Sequence, residues 1–285
     1  MIKRSLFLSA ILLIMIFSCH KVEEPFIKEN LIPWSIVAFD KLERSPAERV
    51  DMIKKLGYNQ YAFGGRLKHV KTMTEELKLA KAQGLKISAV WLYINNKDSI
   101  QNLKLANEAV FESLKTTQLS TQIWVGIDSQ YFEGLMQAEC LTKAKEMISY
   151  LSQRAKNLNC KIALYNHGGW YGDTKNQLEI IKQLPEHDIG IIYNFHHAHD
   201  QLDKYPEIIK SIEPYLWCVN LNGMRKEGPK IISIGQGTLE KKMIEVLLKE
   251  GYTGPFAILG HVKNEDVKQT LQRNFMGIQA LFGDK

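Results

Sequence analysis

The chain has 285 residues, of which 45% are apolar and 24% charged, with a formal net charge of +6. This is the make-up of an ordinary globular chain, long enough for one large or two small domains, and it excludes a disordered or fibrous protein. Its lysines are spread through helix-like segments and form no run that would track phosphates, so nucleic acid is not an expected partner.

At the N-terminus Lys3 and Arg4 precede an apolar run over residues 6–17 that ends in Ser18 and Cys19. The pattern is that of a signal peptide over residues 1–18, with a core too short to span a bilayer as a mature helix. The ending Ile16-Phe17-Ser18-Cys19 resembles a bacterial lipoprotein lipobox, in which the cysteine becomes the lipidated N-terminus. An exported protein of the cell envelope is expected, either held to the membrane through Cys19 or free in the periplasm. Residues 19–31 would be a tether and 32–285 the folded domain. Cys140, Cys160 and Cys218 are odd in number and lack metal-like spacing, so no disulfide framework is indicated.

From Trp34 onward short β-like runs alternate with longer amphipathic ones. Residues 34–39 read as the first strand, and Ser45 caps a helix opened by Pro46 and stopped by Gly57. Strands follow at 58–63, 86–91, 122–127, 161–165, 189–193, 216–220 and 256–259. Helices are predicted at 72–83, 99–115, 138–158, 174–183, 202–212, 239–249 and 265–281. Eight such units in about 250 residues predict an α/β fold, a single-domain (β/α)8 TIM barrel. An open doubly wound sheet is the alternative, but no G-x-G-x-x-G follows the first strand.

In a barrel the C-terminal strand ends share one mouth, where ligands bind. Residues 190–199, GIIYNFHHAH, place Asn194 and three histidines just past a strand end, while Tyr165, Asn166 and His167 end another and Gly260 and His261 a third. Five of the eight histidines therefore converge on the mouth. From strand alternation His197 and His199, rather than the adjacent His196 and His197, would point inward together. Asn220 and Asn222, spaced two apart, can face one side. Polar groups among Trp91, Trp170, Tyr171 and Phe195 suit a hydroxylated ring with apolar faces, so a small carbohydrate is the expected partner. Lys263 completes the predicted mouth.

The segments KIALYNHGG, YNFHHAH, VNLNG, SIGQG and GPFAILGH, in that order, resemble the xylose isomerase-like TIM barrel superfamily, which holds sugar isomerases, epimerases and endonuclease IV type enzymes. The resemblance implies that fold and a sugar-related activity. It also exposes a departure. Where metal-dependent members carry Glu, Asp, His and Glu, this chain has Tyr165, Asn194, Asn220 and Gly260, and a hard cation wants carboxylate oxygens. Two expectations remain. Either a rebuilt site of His167, His197, His199 and His261 binds a divalent metal such as zinc or manganese, or works as acid and base, in an isomerase, epimerase or lyase of non-phosphorylated sugars; or the barrel binds carbohydrate without catalysis. In the enzyme reading His197 is the base, His167 or His261 its acid partner or co-ligand, and Asn194 and Asn220 clamp hydroxyls. Tyr165 would donate to an oxyanion, with Asn166, Asn222, Trp170 and Lys263 binding substrate.

Overall fold

The structure is a computed structural model that describes residues 26–283. The predicted signal segment, Cys19 and the first part of the tether lie outside the described residues.

Eight strands follow one another: β1 (Leu31–Trp34), β2 (Gln60–Phe63), β3 (Lys86–Ile94), β4 (Gln122–Ile127), β5 (Lys161–Tyr165), β6 (Ile189–Asn194), β7 (Leu216–Leu221) and β8 (Phe256–Leu259). Their ladders are parallel, in the order β1-β8-β7-β6-β5-β4-β3-β2, and β1 also packs against β2, which brings the two ends of the sheet together. Around them run α1 (Pro46–Lys55), α2 (Val70–Ala82), α3 (Leu105–Thr117), α4 (Gln137–Lys156), the short α5 (Gly169–Gly172), α6 (Thr174–Lys182), α7 (Tyr205–Ile212), α8 (Glu240–Lys249) and α9 (Val267–Phe282). This is a single-domain (β/α)8 barrel, as the element count implied.

Two apolar layers hold it together. The outer layer lies between strands and helices and includes Leu31, Tyr61, Val90, Val125, Ile191 and Val219. The inner layer fills the barrel itself, with Trp34, Trp124 and Tyr165 set against Ala62, Ala89, Ala163 and Ala257. Large rings from some strands need small residues on the others, because the interior of an eight-stranded barrel is only wide enough for packed side chains. Trp34 and Trp124 meet edge to face with centroids 4.9 Å apart. Gly126 leaves the space taken by Trp91, since a Cβ there would lie 2.4 Å from the indole Cη2.

Local signals explain most helix ends. The Ser45 hydroxyl accepts from Glu48 N while the Glu48 carboxylate accepts from Ser45 N, a reciprocal cap, and Gly57 follows α1 at φ +84°. The first strand differs from the sequence expectation. Leu31 and Ile32 pair with Phe256 and Ala257, and Ser35, at φ +58°, turns the chain out of the sheet before residues 36–39. The apolar run at 36–39 is therefore a loop over the mouth. The tether boundary shifts as well: Phe26 stacks on Phe282 at 4.6 Å and tilts against Phe256 at 5.2 Å, so residues 26–31 belong to the domain. The third helix starts later than its amphipathic run because Asp98 accepts from the backbone of Asn95 and Lys104 and holds residues 95–104 as a loop. Conversely, β3 runs on to Ile94 and carries Tyr93 into the mouth.

Candidate functional site

A cavity of about 840 Å³ opens at the C-terminal end of the barrel. Its floor and walls come from β1, β3, β5, β6 and β8 and from the loops after β1, β2 and β3, which supply Phe39, Arg66 and Lys104.

The histidines sit here because β6 ends in a turn. Asn194, the last residue of the strand, accepts from His196 N through its side-chain oxygen at 2.9 Å and opens a 3-10 turn at Phe195–His197. In this turn, strand alternation no longer applies, so His196 and His197 both face the cavity. This corrects the expectation for the pair His197 and His199. His199 is turned away, with Nδ1 3.0 Å from the His196 carbonyl, and does not line the cavity.

A continuous arc of rings results. The centroids of Trp91 and His167 are 5.9 Å apart, those of His167 and His197 4.6 Å, and those of His197 and His196 4.5 Å. His196 then approaches His261 at 6.0 Å, His261 packs on Phe39, and the Arg66 guanidinium lies 4.7 Å over Phe39. Displacement of water by these rings lowers the imidazole pKa values, and neighbouring positive charge adds to it. His197 falls to about 2 and His261 to about 4, the latter with Arg66 and Lys263 nearby. His196 is also lowered by burial, and His167 is lowered by loss of water but pulled back by the Asp128 carboxylate. All four are neutral near pH 7. His167 differs in that solvent reaches its ring through the open mouth.

Beneath the arc lies a closed polar floor. The Tyr165 hydroxyl accepts from Trp34 Nε1 at 2.9 Å, from Asn220 Nδ2 at 3.1 Å and from Asn194 Nδ2. Tyr165, Asn194 and Asn220 are all buried. Burial holds the phenol protonated, with its pKa pushed up to about 12. Tyr165 and Asn194 border the cavity and Asn220 does not; the Asn194 side chain is committed to Tyr165 and to His196 N, and the Tyr165 oxygen is used as an acceptor while its O–H proton has no acceptor among the described residues. The expected hydroxyl clamps are therefore not what this geometry offers, whereas the Tyr165 hydroxyl keeps a proton to donate.

These are the positions at which the family pattern would hold a divalent ion, and the residues present do not fit one. Two amide N–H groups and an indole N–H point at the centre, and a phenol oxygen fills it; a cation needs oxygen lone pairs there instead. At Gly260 an added Cβ would lie 2.9 Å from Ile36 Cγ2 and 3.2 Å from the Trp34 carbonyl oxygen, so the position has no room for the family carboxylate. The imidazole alternative fails too. With His199 turned away, no three His, Cys, Asp or Glu side chains among the described residues are grouped to hold a metal.

Of four other predicted binders, three serve the frame and the fourth, Lys263, stands at the surface. Asn166 staples β5 to β6, its oxygen accepting from Asn194 N at 2.7 Å and its amide donating to the Asn194 carbonyl. Asn222 is buried and donates to the carbonyls of Gly223 and Lys230, pinning the loop after β7. Trp170 packs against Phe132 and donates to Gln137 outside the cavity, and Lys263 is exposed beside His261 without lining it. Sequence reasoning missed Trp34, Ser35, Phe39, Arg66, Tyr93 and Lys104, which do line it. Only Arg66 had a nearby signal, the Gly64-Gly65 pair that ends β2.

No family model matches the chain, and no curated protein matches it. Solved structures do. A D-psicose 3-epimerase crystallised in the presence of D-fructose aligns at TM-score 0.65 and 14% identity, covering 90% of this chain and all of that one. A 3-keto-D-glucoside 4-epimerase from E. coli aligns at 0.62 and 20%, covering 89% and 99%. A xylose isomerase-like TIM barrel protein from Mycobacterium smegmatis, in complex with magnesium, aligns at 0.55 and 14%, covering 82% and 88%. With eight parallel βα units, a mouth built from the strand ends and these alignments over nearly its whole described length, the chain has the xylose isomerase-like TIM barrel fold.

Proposed function

We propose that the barrel takes a small, non-phosphorylated carbohydrate in its mouth and moves a proton next to the sugar carbonyl, in an isomerisation, epimerisation or β-elimination. The observation that carries this is the pair of neutral imidazoles, His167 and His197, 4.6 Å apart beside the indole of Trp91. Indole faces suit the C–H faces of a sugar, and imidazole nitrogens accept from or donate to its hydroxyls. Two imidazoles this close repel each other's charge, so protonation of one disfavours protonation of the other. His167, open to solvent and under the pull of Asp128, is the better acceptor; His197, at about pKa 2, stays neutral and orients the substrate. The same fold in proteins named as sugar epimerases supports the reading.

A second reading is a carbohydrate-binding barrel without catalysis. It is favoured by a cavity lining that contains no Asp or Glu to serve as a strong base. Proton exchange in deuterated water, followed by NMR over a panel of aldoses and ketoses, separates the two. Deuterium incorporation that is lost in His167→Ala supports the enzyme. Calorimetric binding without exchange supports the binder, and neither binding nor exchange overturns both.

Export and attachment through a lipidated Cys19 belong to the same proposal. Cys19→Ala should release the protein from the membrane fraction, and a wild type already soluble in the periplasm would contradict the anchor.

A further inference from the structure

The charges around the mouth are one-sided. Of the residues lining the cavity, none is acidic and two are permanently cationic, Arg66 after β2 and Lys104 after β3. Neither side chain makes an ion pair among the described residues, although thirteen other such pairs are formed. Arg66 packs its guanidinium over Phe39, and this exposed group has no protein acceptor among the described residues. Lys104 is half-buried, and its Nζ has no hydrogen-bond or ion-pair partner among the described residues.

The carboxylates that could have answered these charges are engaged elsewhere. Asp40 is bonded to Arg44, and Asp128 accepts from the Tyr93 hydroxyl and Gln130 N. Asp98 accepts from the backbone of Asn95 and Lys104, and Glu265 pairs with Arg273. Lys263, beside His261, adds further positive charge at the rim. A ligand with only hydroxyls would leave both cations unanswered. An oxyanion on the sugar meets them directly, and a guanidinium fork matches a carboxylate in two parallel hydrogen bonds.

We propose that the carbohydrate taken by this barrel carries a carboxylate, as in a uronic acid, bound by Arg66 and Lys104 at the rim while the sugar ring lies against Trp91 and the histidines. This rests on the carbohydrate reading above and narrows its substrate class. The sugar acid is held by its negative group on the side of β2 and β3, and its carbonyl end is directed across the cavity to His167, two residues past β5.

The test is calorimetric titration of the full chain with glucuronate and galacturonate, beside glucose and galactose, and with glucose 6-sulfate as a second oxyanion. At least one sugar acid should bind about tenfold or more tightly than its neutral parent, with an affinity that falls as salt rises. In the double variant Arg66→Gln, Lys104→Gln the ratio of acidic to neutral affinities should collapse towards one. Equal binding of acidic and neutral sugars by wild type, or a ratio that survives in the double variant, overturns the carboxylate proposal and leaves the carbohydrate reading standing. Preference for glucose 6-sulfate over every sugar acid overturns the carboxylate in favour of a sulfated sugar. Benzoate binding as tightly as any sugar acid, with no neutral sugar bound, overturns the carbohydrate reading itself.

Discussion

The floor and the rim of the mouth are built on opposite principles. On the floor, Trp34, Asn194 and Asn220 all donate to the Tyr165 oxygen in a buried cluster that leaves only the Tyr165 O–H proton without an acceptor among the described residues. At the rim, Arg66, Lys104 and the imidazoles of His167, His197 and His261 face the cavity with few protein partners. Groups that are buried and mutually bonded contribute to stability, whereas polar groups held unpaired beside a cavity are available to a ligand. The positions at which the family pattern would hold a metal thus belong to the frame in this chain, and the polar groups open to a ligand lie outward, in the histidine arc.

The strongest way to break this contrast is to put a family carboxylate back into the floor. Gly260→Glu would drive a charged side chain into Ile36 and the Trp34 carbonyl, with no cation to meet it. We expect a loss of about 3–5 kcal/mol or failure to fold, read by chemical denaturation. Tyr165→Phe should cost less but still clearly, about 2–4 kcal/mol, because it removes the acceptor shared by three buried donors.

Acid should separate the rim next. His197 and His261 have folded pKa values of about 2 and 4, below the ordinary imidazole value near 6.5. The unfolded chain therefore binds more protons below about pH 6.5, and stability, complete above that pH, falls as pH drops toward 4. Allowing for solvent on the open side of the mouth, the slope is on the order of 1 kcal/mol per pH unit for the two together. Denaturation curves between pH 7 and 4.5 should show it, and the variant His197→Ala, His261→Ala should flatten it. The smallest stability change is expected for His197→Ala alone at pH 7.5. Its melting temperature should stay within a few degrees of wild type while carbohydrate binding by calorimetry weakens; unchanged binding would make His197 part of the frame.

Much of this was legible in the residues. Alternating apolar runs, the Ser45 cap and the stops at glycines located the eight units, because their signals are local. The ends of strands at Tyr165, Asn194 and Gly260 likewise placed the mouth. What the residues could not show was set by distant partners. Strand alternation wrongly paired His197 with His199, since the bond from His196 N to the Asn194 side chain replaces the strand by a turn. Asn166 and Asn222 have the same chemistry as a ligand clamp, and only their bonds to Asn194, Gly223 and Lys230 identify them as staples. Lys104 lies in a loop without a motif and Arg66 beside the Gly64-Gly65 pair alone, and only the barrel brings them to one cavity.

The central claim is that the rim histidines, with no metal on the floor, carry out the chemistry. Deuterium incorporation into the sugar, measured by NMR on protein stripped with a chelator and assayed with and without added manganese, tests it most directly. The account predicts incorporation that is indifferent to manganese and abolished by His167→Ala. Incorporation that requires added manganese and survives His167→Ala would contradict it.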